Sequence, residues 1–343
     1  MTGVNDRLPT VSICLPTYNR IRSLPEVLQA IREQTFQDYE LIVGDDGSTD
    51  GTYEYLSLLQ WPQLRVVRHA QNLNLFGNLT SLFSLARGRY VAIHHDGDVS
   101  FAHALGTLVA LLDANSSAGF AHSAYVLIDS DDRERVLPLE PERQLFLGDA
   151  VLPGEKLIEI LCTRIHTPIA PSLSLWRRDV VERVGGYRPD WKLASDEDLY
   201  RRVATVAGVC FHSDPLFRMA ARPAERKTAL GGWRGWYTIY EFRRDTVLHY
   251  SVGSRWLRGW RILRLAALKQ VTLCTEALSR WLWDDMEGLR RAIQPESLPD
   301  LPSGRCPLRP WERKVLRALI EILVWTRPIG RQLGRWRHGE SRG

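Results

Sequence analysis

This sequence has few cysteines and no long apolar runs. Its 343 residues include only five cysteines, and no two of them form a C-x-x-C pair. Neither a disulfide framework nor a zinc site built on paired cysteines is expected, and the pattern fits a reducing compartment. No apolar stretch approaches the roughly 20 residues that a membrane-spanning helix needs. Residues 1–10 are polar and lack the apolar centre of a secretory signal, so we expect a cytoplasmic protein.

Most of the chain also lacks an excess of positive charge, which is confined to its C-terminal end. The net charge is +5, yet residues 305–343 hold nine Arg, one Lys and three Glu, a local balance of +7 that leaves −2 for the first 304 residues. Nine of the 12 tryptophans follow residue 230, and Trp311–Trp325 has the pattern of an amphipathic helix. This end is consistent either with ordinary packing and solvated surface or with a peripheral contact to an anionic membrane surface on the cytoplasmic face. No recognised nucleic-acid motif accompanies the basic residues, so no nucleic-acid partner is expected.

The first part of the chain contains a regular alternation of apolar runs and segments with helical spacing. The strand-like runs are Val11–Leu15, Tyr39–Val43, Leu64–Val67 and Tyr90–Ile93. Connections of this length are typical of a mostly parallel, doubly wound α/β sheet flanked by helices. We predict such a domain over residues 1–228, a mainly helical extension over 229–294, and a Pro-containing linker, amphipathic helix and basic tail over 295–343.

Acidic residues follow two of these predicted strands. Asp45-Asp46 comes after the second strand, and Asp96-Gly97-Asp98 comes after the fourth. Since parallel strands have their carboxyl ends at one edge of the sheet, the two loops should meet there. Carboxylates of this kind suit Mg²⁺ or Mn²⁺ carrying a phosphate, whereas either loop by itself is equally typical of an ordinary turn.

The order and spacing of several motifs resemble those of the family 2 glycosyltransferases, which adopt the GT-A fold. The resemblance covers roughly residues 10–225. It rests on the segments Val11–Arg20, Gln34–Thr52, Ala86–Tyr90, Asp96–Asp98 and Ser195–Leu199, together with Asn72, Gly77 and Asn78. The first two segments together are far more specific than a single acidic turn.

The resemblance implies a role for each matching position. The loop Pro16-Thr17-Tyr18 would lie against the nucleotide, with Asp46 accepting a hydrogen bond from the base and Asp45 supporting that loop. Asp96 and Asp98 would form the DxD element, which contacts the ribose and a metal on the diphosphate. Asp196 would be the general base that takes the proton of the acceptor hydroxyl.

Three points in the motifs stay open at the level of sequence. The family often has an aspartate where Gly97 stands, so the DxD register is either His95/Gly97 or Asp96/Asp98, and we favour the latter. A metal-binding histidine is often found where this chain has Arg222; either carboxylates alone hold the metal, or Arg222 partly replaces it by pairing with phosphate. Asp198 competes with Asp196 for the role of base, and Ser195 or Asp196 is the expected N-cap of the helix.

The resemblance and the residues together predict an inverting glycosyltransferase. It would move a hexosyl or deoxyhexosyl group from a nucleotide-diphosphate sugar to a hydroxyl of a glycan or lipid-linked acceptor, in surface polysaccharide assembly. The alternative is a non-catalytic sugar-nucleotide-binding or scaffold protein at the membrane surface, in which the Gly97 and Arg222 departures mark lost activity.

Overall fold

The computed structural model describes residues 8–128, 133–138, 143–146, 150–163, 167, 169–170, 172–220, 242–250 and 261. The chain divides into two compact units, Met1–Pro223 and Ala224–Gly343. The elements named below belong to the first unit. The predicted three-part division stays a prediction, because the linker, the amphipathic segment and the basic tail lie outside the described residues.

Helices and strands alternate along the first unit much as the apolar pattern predicted. The strands are β1 Val11–Thr17, β2 Tyr39–Asp45, β3 Leu64–Arg68, β4 Tyr90–Ile93, β5 Asp98–Ser100, β6 Ala118–Ile128, β7 Glu134–Leu137, β8 Ser174–Arg177 and β9 Gly208–Ala220. The α-helices are α1 Leu24–Arg32, α2 Thr52–Ser57, α3 Asn74–Leu85, α4 Ala104–Ala114, α5 Gly154–Thr163, α6 Arg178–Arg183 and α7 Ser195–Ala204, and a 3₁₀ helix spans Pro189–Ala194. No helix in these described ranges combines the length and the apolar character that crossing a bilayer requires.

The strands form one mixed sheet in the order β3-β2-β1-β4-β8-β6-β9-β5, with β7 paired to β6. The pairs β3–β2, β2–β1 and β1–β4 are parallel, which confirms the predicted α/β arrangement of the first four strands. Beyond β4 the sheet is mixed, since β8 runs antiparallel to both β4 and β6, while β6 and β9 are parallel. An apolar run predicts a strand but not its direction, so the sequence did not reveal this change.

The hydrophobic core lies on both faces of the sheet. On one face, Leu24 and Leu28 of α1 and Leu105 and Leu108 of α4 pack with side chains of β1 and β2. The opposite face is covered by α3, α5, α6 and α7, through residues that include Leu79, Leu157, Val180 and Leu199. The helices on both faces bury the parallel strands β1, β2 and β4 completely, whereas the edge strand β3 is partly exposed.

Strand β1 continues two residues beyond its predicted end, through Pro16 to Thr17. Proline removes a donor from a sheet ladder and therefore fits only where that donor is not needed. Strand β4 pairs with β1 only as far as Cys14, so Pro16 lies beyond the ladder on that side. This extension keeps Thr17 paired with Asp45 of β2 and places it next to the acidic loops.

Candidate functional site

The candidate site begins where the strand order reverses. Strands β2 and β3 lie on one side of β1, and β4 lies on the other. In open α/β sheets, ligands bind in a crevice at the carboxyl ends of the strands at such a reversal. Thr17 bridges the two acidic loops at this point. Its carbonyl oxygen accepts a hydrogen bond from the Asp46 N–H at 2.9 Å, and its hydroxyl donates to Asp96 Oδ2 at 3.1 Å. The predicted convergence of the two loops is therefore present in the structure.

Asp96 is buried at this crevice with a cation beside it. Arg20 Nε lies 3.3 Å from Asp96 Oδ2, and the Ser23 hydroxyl donates to the Asp96 carbonyl oxygen at 3.1 Å. Burial raises the pKa of Asp96, and this effect exceeds the opposing influence of Arg20 and Thr17. A carboxylate in this state gains more from an additional cation or hydrogen-bond donor than one in water does.

Arg20 was not among the predicted site residues. Arg20 lies in the loop between β1 and α1, and this loop is hydrogen-bonded to the turn after β2. The Asn19 N–H donates to Ser48 Oγ at 2.9 Å, and the Arg20 N–H donates to Thr52 Oγ1 at 2.9 Å. The sequence signal that could have identified Arg20 was its position at the end of the Val11–Arg20 motif. Its pairing with Asp96 could not be predicted, because Asp96 lies in a loop 76 residues further along the chain.

The other predicted nucleotide-binding positions of this loop differ in exposure. Pro16 and Thr17 are buried, and Tyr18 is 46% exposed at the mouth of the loop. Of these three residues, only Tyr18 has a side chain that is accessible to a ligand. The role of the three residues in binding a nucleotide stays a prediction.

Asp98 follows Asp96 across a short turn and lies at the start of β5. Its side chain is 5% exposed, and its backbone pairs with Met219 of β9. A Cβ on Gly97, between the two aspartates, would meet no atom within 4 Å. Glycine is therefore not required there by packing, and an aspartate would fit sterically. Arg222, three residues beyond Met219, lies outside the described residues.

The two aspartates after β2 both help to hold the backbone. Asp45 is fully buried, its Oδ2 accepts from the Ser48 N–H at 3.3 Å, and Arg68 Nε lies 3.7 Å away. Asp46 Oδ1 accepts from the Leu73 N–H at 2.8 Å, immediately before α3. Burial raises the pKa of Asp46 despite this hydrogen bond. Asp46 therefore links the crevice to the start of α3, and its contact with a nucleotide base stays a prediction.

The turn that contains both aspartates depends on glycine. Gly47 and Gly51 have φ values of +79° and +93°, in the left-handed region where a side chain is disfavoured. The preceding Gly44 has a different role, because a Cβ there would collide with the side chain of Asn78, whose Nδ2 donates to the Gly44 carbonyl at 2.7 Å. The glycine spacing of the motif thus has a local backbone cause.

The structure distinguishes the two candidate bases on α7. Asp198 is fully buried, and its oxygens accept from Arg201 Nη2 and Arg202 Nε, each at 2.7 Å. Asp196 is partly exposed, and its Oδ1 accepts from the Tyr187 hydroxyl at 2.7 Å. Asp198 is occupied by two guanidinium groups in the interior, so the geometry favours Asp196 for proton transfer.

The predicted N-cap of α7 is wrong. The helix begins at Ser195, its N-cap is Ala194, and no side chain caps it. The preceding 3₁₀ helix, Pro189–Ala194, leads directly into α7, so Asp196 lies inside the first turn rather than before it. A carboxylate in the first turn is still favoured by the helix dipole.

No group of three or more His, Cys, Asp or Glu side chains among the described residues could hold a metal ion. Asp96 and Asp98 nevertheless supply hard oxygen donors within one turn, and Mg²⁺ is commonly bound by one or two carboxylates together with substrate phosphates and water. The chemistry of these two side chains suits a metal that would share its coordination with a diphosphate, and the metal site stays a prediction. They do not form an all-protein cage.

The sequence model of glycosyl transferase family 2 matches residues 12–185. A GalNAc(5)-diNAcBac-PP-undecaprenol beta-1,3-glucosyltransferase of Campylobacter jejuni is 32% identical over 119 residues, which are 34% of this chain and 37% of that protein. The structure resembles S. aureus TarS 1–349 in complex with UDP-GlcNAc, with a TM-score of 0.60 at 14% identity, covering 97% of this chain and 93% of that one. It also resembles a mannosyltransferase from Pyrobaculum calidifontis in complex with GDP-Man and Mn²⁺, with a TM-score of 0.53 at 17% identity, covering 94% of this chain and 88% of that one.

These structural likenesses support the GT-A type of fold. The chain belongs to glycosyl transferase family 2.

Proposed function

We propose that this member of glycosyl transferase family 2 moves one sugar from a nucleotide-diphosphate sugar to an acceptor hydroxyl, with inversion at the anomeric carbon. The observation that carries the proposal is the meeting of two acidic loops on Thr17, at the point where the strand order reverses. In open α/β sheets this crevice is the usual place for a ligand. The paired carboxylates of the second loop suit a divalent ion that accompanies the diphosphate of such a donor.

The donor would lie along the loop after β1. In this arrangement the nucleoside contacts Pro16, Thr17, Tyr18, Asp45 and Asp46, and the diphosphate lies toward Asp96, Asp98 and Arg222. Two structurally similar proteins carry UDP-GlcNAc and GDP-Man, which supports a nucleotide sugar as the ligand class. The sugar would be a hexose or a deoxyhexose.

A divalent ion, Mg²⁺ or Mn²⁺, would be held by Asp96 and Asp98. When bound, it would neutralise charge on the departing diphosphate. Arg20 supplies positive charge at the same place, because its guanidinium already lies beside Asp96. The structurally similar mannosyltransferase with Mn²⁺ supports the choice of ion.

Asp196 would act as the general base. The acceptor oxygen forms a bond to the anomeric carbon, the bond from that carbon to the diphosphate oxygen breaks, and the acceptor proton passes to the Asp196 carboxylate. A nucleoside diphosphate leaves. One displacement with one base inverts the anomeric centre, and a product that retained the donor configuration would contradict this mechanism.

The acceptor would be a glycan or a lipid-linked sugar in surface polysaccharide assembly. The Campylobacter relative is named for a lipid-linked acceptor, which supports this class. We further propose that the Trp- and Arg-rich end of the chain binds an anionic membrane on its cytoplasmic side. Removal of residues 305–343 should shift the protein from the membrane fraction to the soluble fraction, and unchanged partitioning would contradict membrane binding.

The decisive experiment is a panel of nucleotide sugars, including UDP-glucose, UDP-GlcNAc, GDP-mannose and dTDP-rhamnose. Hydrolysis of each donor is measured with Mg²⁺, with Mn²⁺ and with chelator. In the Asp196→Asn variant, the rate of donor hydrolysis should fall by about 10²–10⁴-fold, which is the range attributed to general base catalysis. The matched control is Asp179→Asn, the same chemical change at an exposed aspartate that pairs with Arg183 on the surface.

Two results would change the proposal. Full activity of Asp196→Asn would remove Asp196 as the base. Binding of a nucleotide sugar without hydrolysis, by a protein that also fails to transfer the sugar in a membrane extract, would favour the non-catalytic sugar-nucleotide-binding protein.

A further inference from the structure

We propose that Tyr187 is a positioning residue that orients the Asp196 carboxylate for proton transfer. This inference rests on the proposed role of Asp196 as the base. The Tyr187 hydroxyl donates to Asp196 Oδ1 at 2.7 Å, a short distance that is typical of a hydrogen bond to an ionised oxygen. The two residues lie on different elements, because Tyr187 precedes the 3₁₀ helix and Asp196 lies in the first turn of α7.

The ring of Tyr187 is fixed from a third element, helix α3. It stacks on Phe76 with ring centroids 5.8 Å apart and an interplanar angle of 30°. Phe83 meets the same ring edge-on, at 5.4 Å and 77°. Tyr187 is only 4% exposed. Since two aromatic side chains of α3 hold the ring, the position of the hydroxyl is set by packing rather than by Asp196.

This hydrogen bond orients the base without preventing its reaction. A carboxylate has about four lone-pair sites, so the bond from Tyr187 to Oδ1 can set the orientation of the group without by itself removing its capacity to accept a proton. Burial raises the pKa of Tyr187 well above its ordinary value, and the nearby charge of Asp196 and the Tyr200 phenol act in the same direction, opposed by Arg202. Tyr187 therefore remains a donor and does not compete with the acceptor as a source of the proton.

A second buried tyrosine provides a matched control. Tyr200 lies one turn after Asp196 on α7, and its ring stacks on Trp176 at 5.6 Å and 3°. Burial raises the pKa of Tyr200 well above its ordinary value, with smaller influences from Asp196 and Glu197. Among the residues that the structure describes, however, its buried hydroxyl has no hydrogen-bond partner. Both tyrosines are close enough to be influenced by the same carboxylate, but only Tyr187 bonds to it.

The test compares Tyr187→Phe with Tyr200→Phe in the full-length protein, using the donor of the panel that is hydrolysed fastest. Each change removes one hydroxyl and keeps the ring, so both variants should fold. For Tyr187→Phe, kcat should fall about tenfold while KM for the donor stays within about twofold, since a hydrogen bond to a charged group is lost at the base. For Tyr200→Phe, both constants should stay within about twofold of the parent. An unchanged kcat in Tyr187→Phe, an equal loss in both variants, or a loss that appears only in KM would overturn the proposal.

A double-variant cycle separates positioning from general packing. In the background of Asp196→Asn, the change Tyr187→Phe should have almost no further effect on kcat, because the group that it orients has already lost its function. Independent, multiplicative losses would contradict the proposal and indicate a structural role for the hydroxyl.

The same variants distinguish this inference from the proposed function. If Asp196→Asn keeps full activity, Asp196 is not the base, and the role of Tyr187 fails with it. If Asp196→Asn is inactive while Tyr187→Phe equals the parent, the proposed function stands and only the positioning role of Tyr187 is refuted.

Discussion

The two edges of the central sheet each bury an acidic side chain, but they stabilise its charge very differently. At the amino-terminal edge, Glu40 accepts from the Ser12 hydroxyl at 2.6 Å and from Arg87 Nε and Nη2 at 3.0 and 2.8 Å. Burial acts to raise the pKa of Glu40, yet these hydrogen bonds outweigh it, and the pKa is lowered. At the carboxyl-terminal edge, burial dominates, and the pKa of Asp96 is raised although Arg20 and Thr17 lie beside it.

This difference separates a structural carboxylate from one suited to binding. The charge of Glu40 is compensated within the fold, so an incoming ligand has little to add. The charge of Asp96 is only partly compensated, so a cation or a donor that arrives with a substrate lowers its energy. Functional sites commonly retain such shifted groups, at some expense in stability.

The largest expected effect comes from removing the charge at the carboxyl-terminal edge. Asp96→Asn should reduce donor hydrolysis by about 10²–10³-fold, as loss of electrostatic stabilisation at a reacting centre typically does. Because the folded protein disfavours the ionised form of this buried group, its stability should stay the same or rise slightly. Activity and thermal unfolding should be measured on the same preparation. If Asp96→Asn is both fully active and less stable than the parent, Asp96 is a structural carboxylate like Glu40 and not a binding residue.

Asp198 sharpens the comparison, since it is buried and paired with arginine as Glu40 is, yet lies two residues from the candidate base. Asp198→Asn should destabilise the fold by about 3 kcal/mol, because Arg201 and Arg202 would remain in the interior without their counter-ion. Urea unfolding would measure this change. A loss of activity without a loss of stability would instead assign Asp198 to the chemistry.

His122 is a buried titratable group, and a backbone hydrogen bond at Ser123 offsets only a small part of the effect of its burial. It lies among Phe120, Phe146 and Phe211, and burial lowers its pKa from 6.5 to about 3. Below pH 6.5 the unfolded chain therefore binds a proton that the folded chain does not, so stability is lost as the pH falls from 6.5 toward 3. From pH 7 to pH 5 this loss should be about 2 kcal/mol.

The variant His122→Leu should remove that part of the acid sensitivity. Chemical unfolding at pH 7 and pH 5 would show it as a smaller difference between the two curves than in the parent. His103→Leu, at an exposed position on the surface, serves as the control. Equal acid sensitivity in His122→Leu and in the parent would contradict the prediction.

The smallest effect is expected at the amino-terminal edge. Glu40→Gln should lower stability by about 1 kcal/mol at pH 7, a value reduced by solvent screening because the Arg87 side chain is 60% exposed. The pKa of Glu40 is lowered on folding, so its contribution is present above its unfolded pKa of 4.5 and disappears as the pH falls through the folded value. The difference between Glu40→Gln and the parent should vanish in acid, and the activity of the folded variant should equal that of the parent.

Local features of the site were predictable, and its pairings were not. Ser23 illustrates the limit, because it is the N-cap residue of α1, yet its hydroxyl makes no capping hydrogen bond in that helix. It donates instead to the Asp96 carbonyl oxygen, 73 residues away. A short polar side chain at a helix start has several partners available, and only the strand order determines which of them is near.

The choice between Asp196 and Asp198 shows the same limit on a smaller scale. The sequence offers two aspartates in one helical turn, and nothing in their types distinguishes them. The arginines that neutralise Asp198 follow it by three and four residues, but the burial of this cluster depends on the packing of α7 against α5, α6 and the sheet. Tyr187, which bonds to Asp196, had no sequence signal beyond its place after Gly185 and Gly186.

The sequence by itself determined the alternation of strands and helices, the acidic turns with their glycines, and the resemblance to the family. These features depend on periodicity and on backbone preferences within a few residues. Only the tertiary structure decided that Thr17 joins both acidic loops, that Arg20 lies beside Asp96, and that Tyr187 holds Asp196. The free energy of each such contact depends on burial and on groups distant in the chain, and neither exists until the sheet has formed in its particular strand order.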